Sequence, residues 1–338
     1  MTSRRVFVTG ATGLVGAALV ERLAGSGREV VALARPGSDC SRLEQRGVAV
    51  VRGDLSRSGA LAESITGCDV VFHCAAPTGM SHTIEAYHAG IAEGTANLLQ
   101  AAREAGASRF VYVSSVMVYE LRGRSGECDE TQPMLGSSID PYGRAKCVAE
   151  AGCMDAHRPG VFDVAIVRPG FIYGPAHRRE GFLQDMAAMM AGGKFRFIGD
   201  GGNAIPLIHV ADVVELLLRS AGRGEACGRV YNACAPARTT WRELAQALCD
   251  GLGLAMPPAT PVAPVLAAAR LLEALARLAL LRRLPLSTAA VRMLASDCRF
   301  SGARAARELG FVPGIAFEEG IRGCMPSLRE VLAGRAGS

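Results

Sequence analysis

Five short apolar runs, each followed by a stretch with helical spacing, constrain this chain more than any other feature. RVFVTG (5–10), EVVALA (29–34), VAVVRGD (48–54), DVVFHCA (69–75) and RFVYVSS (109–115) are rich in β-branched residues and mostly bounded by Gly, Asp or Ser. Between them, segments such as 13–24 and 84–105 repeat their apolar residues at helical intervals. Strands that are apolar on both faces and alternate with helices belong to a parallel sheet covered on both sides. The helix expected over 140–157 and the strand DVAIVRP (163–169) continue the alternation. The expected class is therefore α/β, a doubly wound parallel sheet.

Beyond Gly170 the pattern loosens into short strands and helices, the latter over 210–220, 240–252 and 301–309, split by Gly- and Pro-containing turns. The expected division is a sheet domain over 1–169 and a smaller mixed lobe over 170–338. Such a lobe would cover the carboxyl ends of the strands, where open α/β sheets bind ligands. The most apolar helical stretch is 262–283, interrupted by Arg270, Glu273 and Arg277, preceded by Pro257, Pro258 and Pro261, and with Pro264 at its start. Those charges and prolines exclude a membrane span. Three readings stay open: a core helix of the small lobe, a lid over the substrate, or a helix lying on a membrane surface.

Composition excludes several functions. The formal charge of +5 is spread along 338 residues with no run of five like charges, which gives nucleic-acid binding no support. Eleven cysteines include no C-x-x-C pair, so neither a zinc framework nor a disulfide scaffold is expected and no metal site is assigned. Free thiols in a reducing cytoplasm are the expectation. The opening MTSRRVFVTGATGLVGAALV resembles an export signal, but Thr9, Gly10, Thr12 and Gly13 break its apolar run, so it is read as folded sequence.

Those breaking residues have a purpose of their own. VFVTGATGLVG ends a strand and opens a helix with Gly10, Gly13 and Gly16. Glycine permits a tight turn and lets a pyrophosphate approach the helix N-terminus, whose free N–H groups favour anions. In a chain that continues βαβ, the motif indicates a Rossmann-type dinucleotide site. An acidic side chain at the end of the second strand would hold a ribose 2′-OH. Arg35 stands there instead, with Ser38 near it and no carboxylate before Asp39. Arginine suits a 2′-phosphate, so NADP(H) is the expected cofactor and NAD(H) the alternative.

The basic residues give a second clue. Of 37 Lys plus Arg, only Lys146 and Lys194 are lysine. Lys146 follows Tyr142 by four residues in DPYGRAKCVAE, so both share one helix face. A nearby ammonium stabilises a phenolate, and its rotatable donors also reach ribose hydroxyls in a way a guanidinium cannot match. Ser115, closing FVYVSS, would present its hydroxyl to the substrate oxygen.

With these residues in view, the chain resembles the extended short-chain dehydrogenases/reductases, the NAD-dependent epimerase/dehydratase superfamily. The resemblance runs from about residue 4 to 325. It is carried by TGATGLVG (9–16), GDL with Asp54, VFHCAA (71–76), YVSSVMVY (112–119), PYGRAK (141–146), VRPGFIYGP (167–175) and IHVADVV (208–214). It implies Tyr142 as general acid/base, Lys146 as its activator and ribose anchor, and Ser115 as donor to the carbonyl oxygen. It also implies cofactor contacts from Gly10, Thr12, Gly13, Leu14, Val15, Gly16, Asp54, Leu55, Ala75, Ala76 and Pro169, beside Arg35 and Ser38. A homodimer through helices 84–105 and 140–157 is implied as well. Two positions depart from the pattern: Ile91 replaces an asparagine often used in proton relay, and Glu120 replaces a glycine.

Nucleotide-sugar members would be the default, and three features speak against them. Val116 and Met117 replace the acidic pair of dehydratases, Gly170 replaces an asparagine that touches diphosphate, and Ile205 replaces a phosphate-holding arginine. Apolar residues remain for a pocket: Pro77, Val116, Met117, Phe171, Ile172 and Leu207, with Met186, Met189 and Met190 nearby. This set is similar to the 3β-hydroxysteroid dehydrogenase and dihydroflavonol-reductase-like branch. The expected reaction is hydride transfer between nicotinamide and a ketone or secondary alcohol of a small lipophilic substrate. A nucleotide-sugar epimerase with tightly held NAD and a non-catalytic NADP-binding regulator are the alternatives.

Overall fold

A computed structural model describes residues 5–56, 61–77, 82–121, 126–135, 140–175 and 181–336. Seven parallel strands form its central sheet, in the order 229–233, 163–169, 109–113, 70–73, 5–9, 29–34 and 49–52. This is the Rossmann-type sheet expected from the apolar runs, with a smaller lobe beyond it. Its seventh strand, Arg229–Ala233, comes from the looser second half and pairs in parallel with Asp163–Pro169. The chain thus leaves the sheet after Pro169 and returns to it.

Each strand feeds two cores because successive side chains point to opposite faces. Val6 and Val8 pack with Leu19 and Val20 of helix Leu14–Ala24 and with Leu216 and Leu217 of helix Val210–Gly222. Phe7, Val71, Phe110 and Tyr112 pack on the other side against Leu98 and Leu99 of helix Gly94–Glu104 and Ala149 of helix Pro141–Ala156. A one-residue slip in register would exchange the two sets, so the pairing is strongly specified.

The long helix expected over 84–105 is three segments: α-helix Ile84–Tyr87, a π-helical stretch His88–Glu93, and α-helix Gly94–Glu104. Helical periodicity does not resolve such a widened turn. Gly90 lies in it where a Cβ would come within 2.9 Å of Pro77 Cγ, so the turn runs close against the loop after His73.

The smaller lobe has its own core, in which Trp241, Leu244 and Leu248 of helix Trp241–Leu252 meet Leu183 and Met186 of helix Phe182–Ala191. Thr240 and Glu243 form a reciprocal capping box at the start of the former helix. The apolar stretch 262–283 is helical only from Val262 to Arg277, and Ala279 stops it with φ of 56°. Only Ala269 and Glu273 of that helix are buried, while Leu271 is 62% exposed. It is therefore a surface helix and not the core helix that its composition favours. Among the described residues no helix is long and apolar enough to cross a membrane.

Candidate active site

The glycine loop is built around backbone contacts that no side chain could share. Gly10 has φ of +68°, and a Cβ on it would lie 2.7 Å from the Ala75 nitrogen. A Cβ on Gly16 would lie 2.1 Å from the Gly10 carbonyl oxygen. The loop is thereby pressed onto the start of helix Leu14–Ala24, which has no side-chain cap at Gly13 and no acidic residue in its first turn. Uncapped N–H groups at an unopposed helix N-terminus suit a pyrophosphate. Thr12, Leu14 and Val15 belong to this turn, with Val15 turned into the core.

A cavity of about 530 Å³ lies at the carboxyl ends of strands Glu29–Ala34 and Ala49–Arg52, lined by Leu33, Pro36, Val51, Arg52 and Asp54 among others. Its apolar walls and single carboxylate fit an adenosine, so the residues present suit a dinucleotide. Asp54 accepts from the Ser56 amide at 2.8 Å, and the Leu55 carbonyl accepts from Asn97 at 2.8 Å, which fixes the rim. Arg35 and Ser38 are not part of this wall. The Arg35 side chain lies exposed at the end of its strand, and the Ser38 carbonyl accepts from Arg52 Nη1 at 2.6 Å.

Ala75 and Ala76 follow strand Val70–His73, and His73 behind them fixes the loop. Thr95 donates its hydroxyl proton to the Ile91 carbonyl at 2.5 Å. Its oxygen therefore accepts from His73 Nε2 at 2.9 Å, leaving Nδ1 to accept from Thr9 at 2.7 Å. Thr9 in turn accepts from the Ala75 amide at 3.2 Å. Burial pushes the His73 pKa down to about 3, so the ring is a neutral strut.

The reacting groups converge at the carboxyl ends of the central strands. Ser115 follows strand Arg109–Val113, is 8% exposed, and accepts from the Met117 amide at 3.2 Å. Tyr142 stands in the first turn of helix Pro141–Ala156, whose N-cap Asp140 accepts from the Gly143 amide at 2.6 Å. Pro141 at the first helical position suits that start. Lys146, one turn on, is 2% exposed and donates to the Val113 carbonyl at 2.7 Å. Its Nζ lies 4.7 Å from the Tyr112 ring centre and 5.9 Å from that of Tyr142.

Burial pushes the Tyr142 phenol up to about 12, against a smaller downward effect of the Ser115 hydroxyl. Burial also brings Lys146 down to about 8. In this arrangement the lysine ion does not make Tyr142 a phenolate at neutral pH. The phenol carries its proton and is set to donate it.

Of the expected pocket residues, Met117 and Phe171 are half-buried, and Phe171 meets Phe182 at a tilt and Trp241 edge-on, with ring centres 4.8 and 5.4 Å apart. Pro77 borders the widened turn at Gly90. Val116 and Leu207 lie inside hydrophobic clusters at 1% and 4% exposure, and Ile172 packs onto the core beneath the sheet. Val116 and Leu207 are core rather than open wall, and Ile172 is half-buried. Met186 and Met190 belong to the small-lobe core, and Met189 is 36% exposed. Pro169 is buried at the end of its strand.

A model described as the NAD dependent epimerase/dehydratase family matches residues 6–234. The chain belongs to that family. It is an NAD-binding enzyme of the oxidoreductase/epimerase type. It is 32% identical to 4-hydroxy-2-methyl-3-oxo-4-farnesyl-3,4-dihydroquinoline-1-oxide ketoreductase of Stigmatella aurantiaca, over 94% of each chain. It is 29% identical to 2-alkyl-3-oxoalkanoate reductase of Stenotrophomonas maltophilia, over 94% of this chain and 97% of the relative. Among solved structures, MoeE5 in complex with UDP-glucose and NAD is 25% identical with a TM-score of 0.74, covering 99% of this chain and 100% of that one. MoeE5 in complex with UDP-glucuronic acid and NAD is 26% identical with a TM-score of 0.74, covering 96% and 99%.

These structures correct two expectations. NADP(H), inferred from Arg35 and Ser38, gives way to NAD, the dinucleotide held by MoeE5. The residue type itself carried little information about the cofactor: arginine is the default cation of this chain, and the Arg35 side chain lies exposed at the end of its strand. The partner expected as a small lipophilic molecule is corrected by the nucleotide sugars that MoeE5 holds.

Sequence reasoning missed three groups around the site. Tyr87 meets Tyr142 edge-on with ring centres 5.9 Å apart. Ser287 donates to Asp140 at 2.7 Å and so ties helix Thr288–Ala295 to the N-cap of the Tyr142 helix. Glu150, Arg168 and Tyr119 form a buried polar chain. Glu150 had a legible signal, one turn beyond Lys146; the other partners are far apart in sequence.

Proposed function

We propose that the chain transfers hydride between NAD(H) and a secondary carbinol or ketone carbon, with Tyr142 handling the proton, Ser115 donating to the reacting oxygen and Lys146 anchoring the cofactor ribose. The carrying observation is the convergence of these three side chains beside a loop in which glycine is sterically required. NAD would be held by residues 10–16, the Asp54 rim and the Ala75–Ala76 loop, and when bound it supplies the hydride acceptor or donor. A phenol that keeps its proton at neutral pH suits the reductive direction, in which Tyr142 gives a proton to the developing alkoxide.

Two cycles share that step, and each has support. A nucleotide-sugar epimerase would oxidise and re-reduce its substrate with no net change in NAD; likeness to MoeE5 along the whole chain favours it. Net ketone reduction, in the family's 3β-hydroxysteroid dehydrogenase-like branch, is favoured by the ketoreductase relatives and by Gly170. A Cβ on Gly170 would lie 2.0 Å from the Pro206 carbonyl oxygen, so no amide side chain can stand there to meet a diphosphate.

The test supplies purified protein and NADH or NAD with UDP-glucose and, separately, a 2-alkyl-3-oxoalkanoate. A sugar inverted at one carbon without net NADH change supports the epimerase, and stoichiometric NADH consumption supports the reductase. Tyr142→Phe is expected to abolish turnover while binding NAD; retained turnover in that variant overturns the mechanism.

A further inference from the structure

Arg168 stands at 4% exposure in strand Asp163–Pro169, where a lone guanidinium would carry a heavy desolvation cost. Its Nε donates to Glu150 Oε1 at 2.9 Å and its Nη2 to Glu150 Oε2 at 2.5 Å. Its Nη1 donates to the Tyr119 hydroxyl at 2.9 Å. That hydroxyl passes its proton on to Asn232 Oδ1 at 2.6 Å. The guanidinium also lies 4.8 Å from the Tyr119 ring centre. The bonds that Arg168 makes have one direction and cannot be reversed, because a guanidinium only donates and the carboxylate only accepts.

Replacing a buried ion pair by apolar groups is often neutral or stabilising, so stability alone does not account for it. What the pair does achieve is placement. Glu150 is one turn from Lys146 on the helix that carries Tyr142, and Tyr119 is four residues from Ser115 on the segment after the neighbouring strand. One planar group thus holds both elements that contribute to the site.

We propose that Arg168 is a positioning residue that fixes the Tyr142–Lys146 helix against the Ser115 segment through Glu150 and Tyr119. The inference rests on the reading of Tyr142, Lys146 and Ser115 given above. Loss of the fork lets the two elements drift, and a drift of an ångström at reacting atoms costs up to about a hundredfold in rate.

Tyr119→Phe tests this with the removal of one hydroxyl. Because the chain has only two lysines, a lysine-selective 15Nζ spectrum reports on Lys146 directly, with Lys194→Arg for assignment. The expected result is a displaced or broadened Lys146 signal, NADH binding within about threefold of wild type, and hydride transfer about tenfold slower with an increased deuterium isotope effect. Arg168→Lys, which keeps the charge without the fork, is expected to behave likewise; should it fail to fold, Tyr119→Phe decides alone. An unchanged Lys146 signal in Tyr119→Phe, with only the melting temperature lowered, overturns the proposal. Failure of the functional reading shows separately, as turnover retained in Tyr142→Phe.

Discussion

Lys146→Met should disable the enzyme without destabilising it. The Lys146 ammonium is buried, and burial takes its pKa from the ordinary 10.5 to about 8. The folded state therefore binds the lysine proton less readily than the unfolded chain. Between pH 8 and 10.5 the unfolded chain holds more protons, so the stability contribution rises with pH through that window. The penalty is fully present below pH 8 and gone above 10.5, and a difference of that size is about 3 kcal/mol. Methionine fills the same space without a charge, but it leaves the Val113 carbonyl without its 2.7 Å donor, at a cost of about 1–3 kcal/mol. The net expectation at pH 7 is a variant from equally stable to about 2 kcal/mol more stable than wild type. Urea unfolding of both proteins from pH 7 to 10.5 measures this, and the comparison cancels the tyrosines and cysteines that titrate in the same range. Wild type should gain on the variant by up to about 1.4 kcal/mol per pH unit. Turnover should fall at least about a hundredfold. A pH-independent difference, or a variant several kcal/mol less stable at pH 7, refutes the picture of Lys146 as a cation held in place for chemistry.

Gly16→Ala places a Cβ 2.1 Å from the Gly10 carbonyl oxygen, so thermal unfolding should show a loss of about 1–3 kcal/mol and calorimetry at least tenfold weaker NAD binding. Ser287→Ala removes both the cap of helix Thr288–Ala295 and a donor to Asp140; a loss of about 1–2 kcal/mol in urea unfolding is expected, with NAD affinity unchanged. His73 should stay neutral across the range from pH 5 to 8, so NAD affinity should show no histidine-like step there, as titration calorimetry at several pH values would reveal.

What the sequence disclosed and what it withheld divide along a physical line. The sheet was legible because a continuous apolar run is local: VFVT, VVFH and FVYV each state their own burial. The glycine loop was legible because steric demand at Gly10 and Gly16 is written in residue type. Cofactor choice at Arg35 was not, because a side chain's identity does not say whether it faces the cleft or water, and arginine is nearly ubiquitous here. The stretch 262–283 stayed open between core, lid and membrane-surface readings for the same reason: its composition states hydrophobicity, but only its neighbours decide exposure. Tyr119, Glu150, Arg168 and Asn232 span more than a hundred residues, and no periodicity joins them. They meet because strands 163–169 and 229–233 are neighbours in the sheet, a fact set by the return of the chain from the small lobe. That return helps keep the lone buried lysine in place: it carries Asn232 to the end of a polar chain whose other end is one helical turn from Lys146. The lysine that stands out in an arginine-rich sequence is thus supported by an arginine that does not.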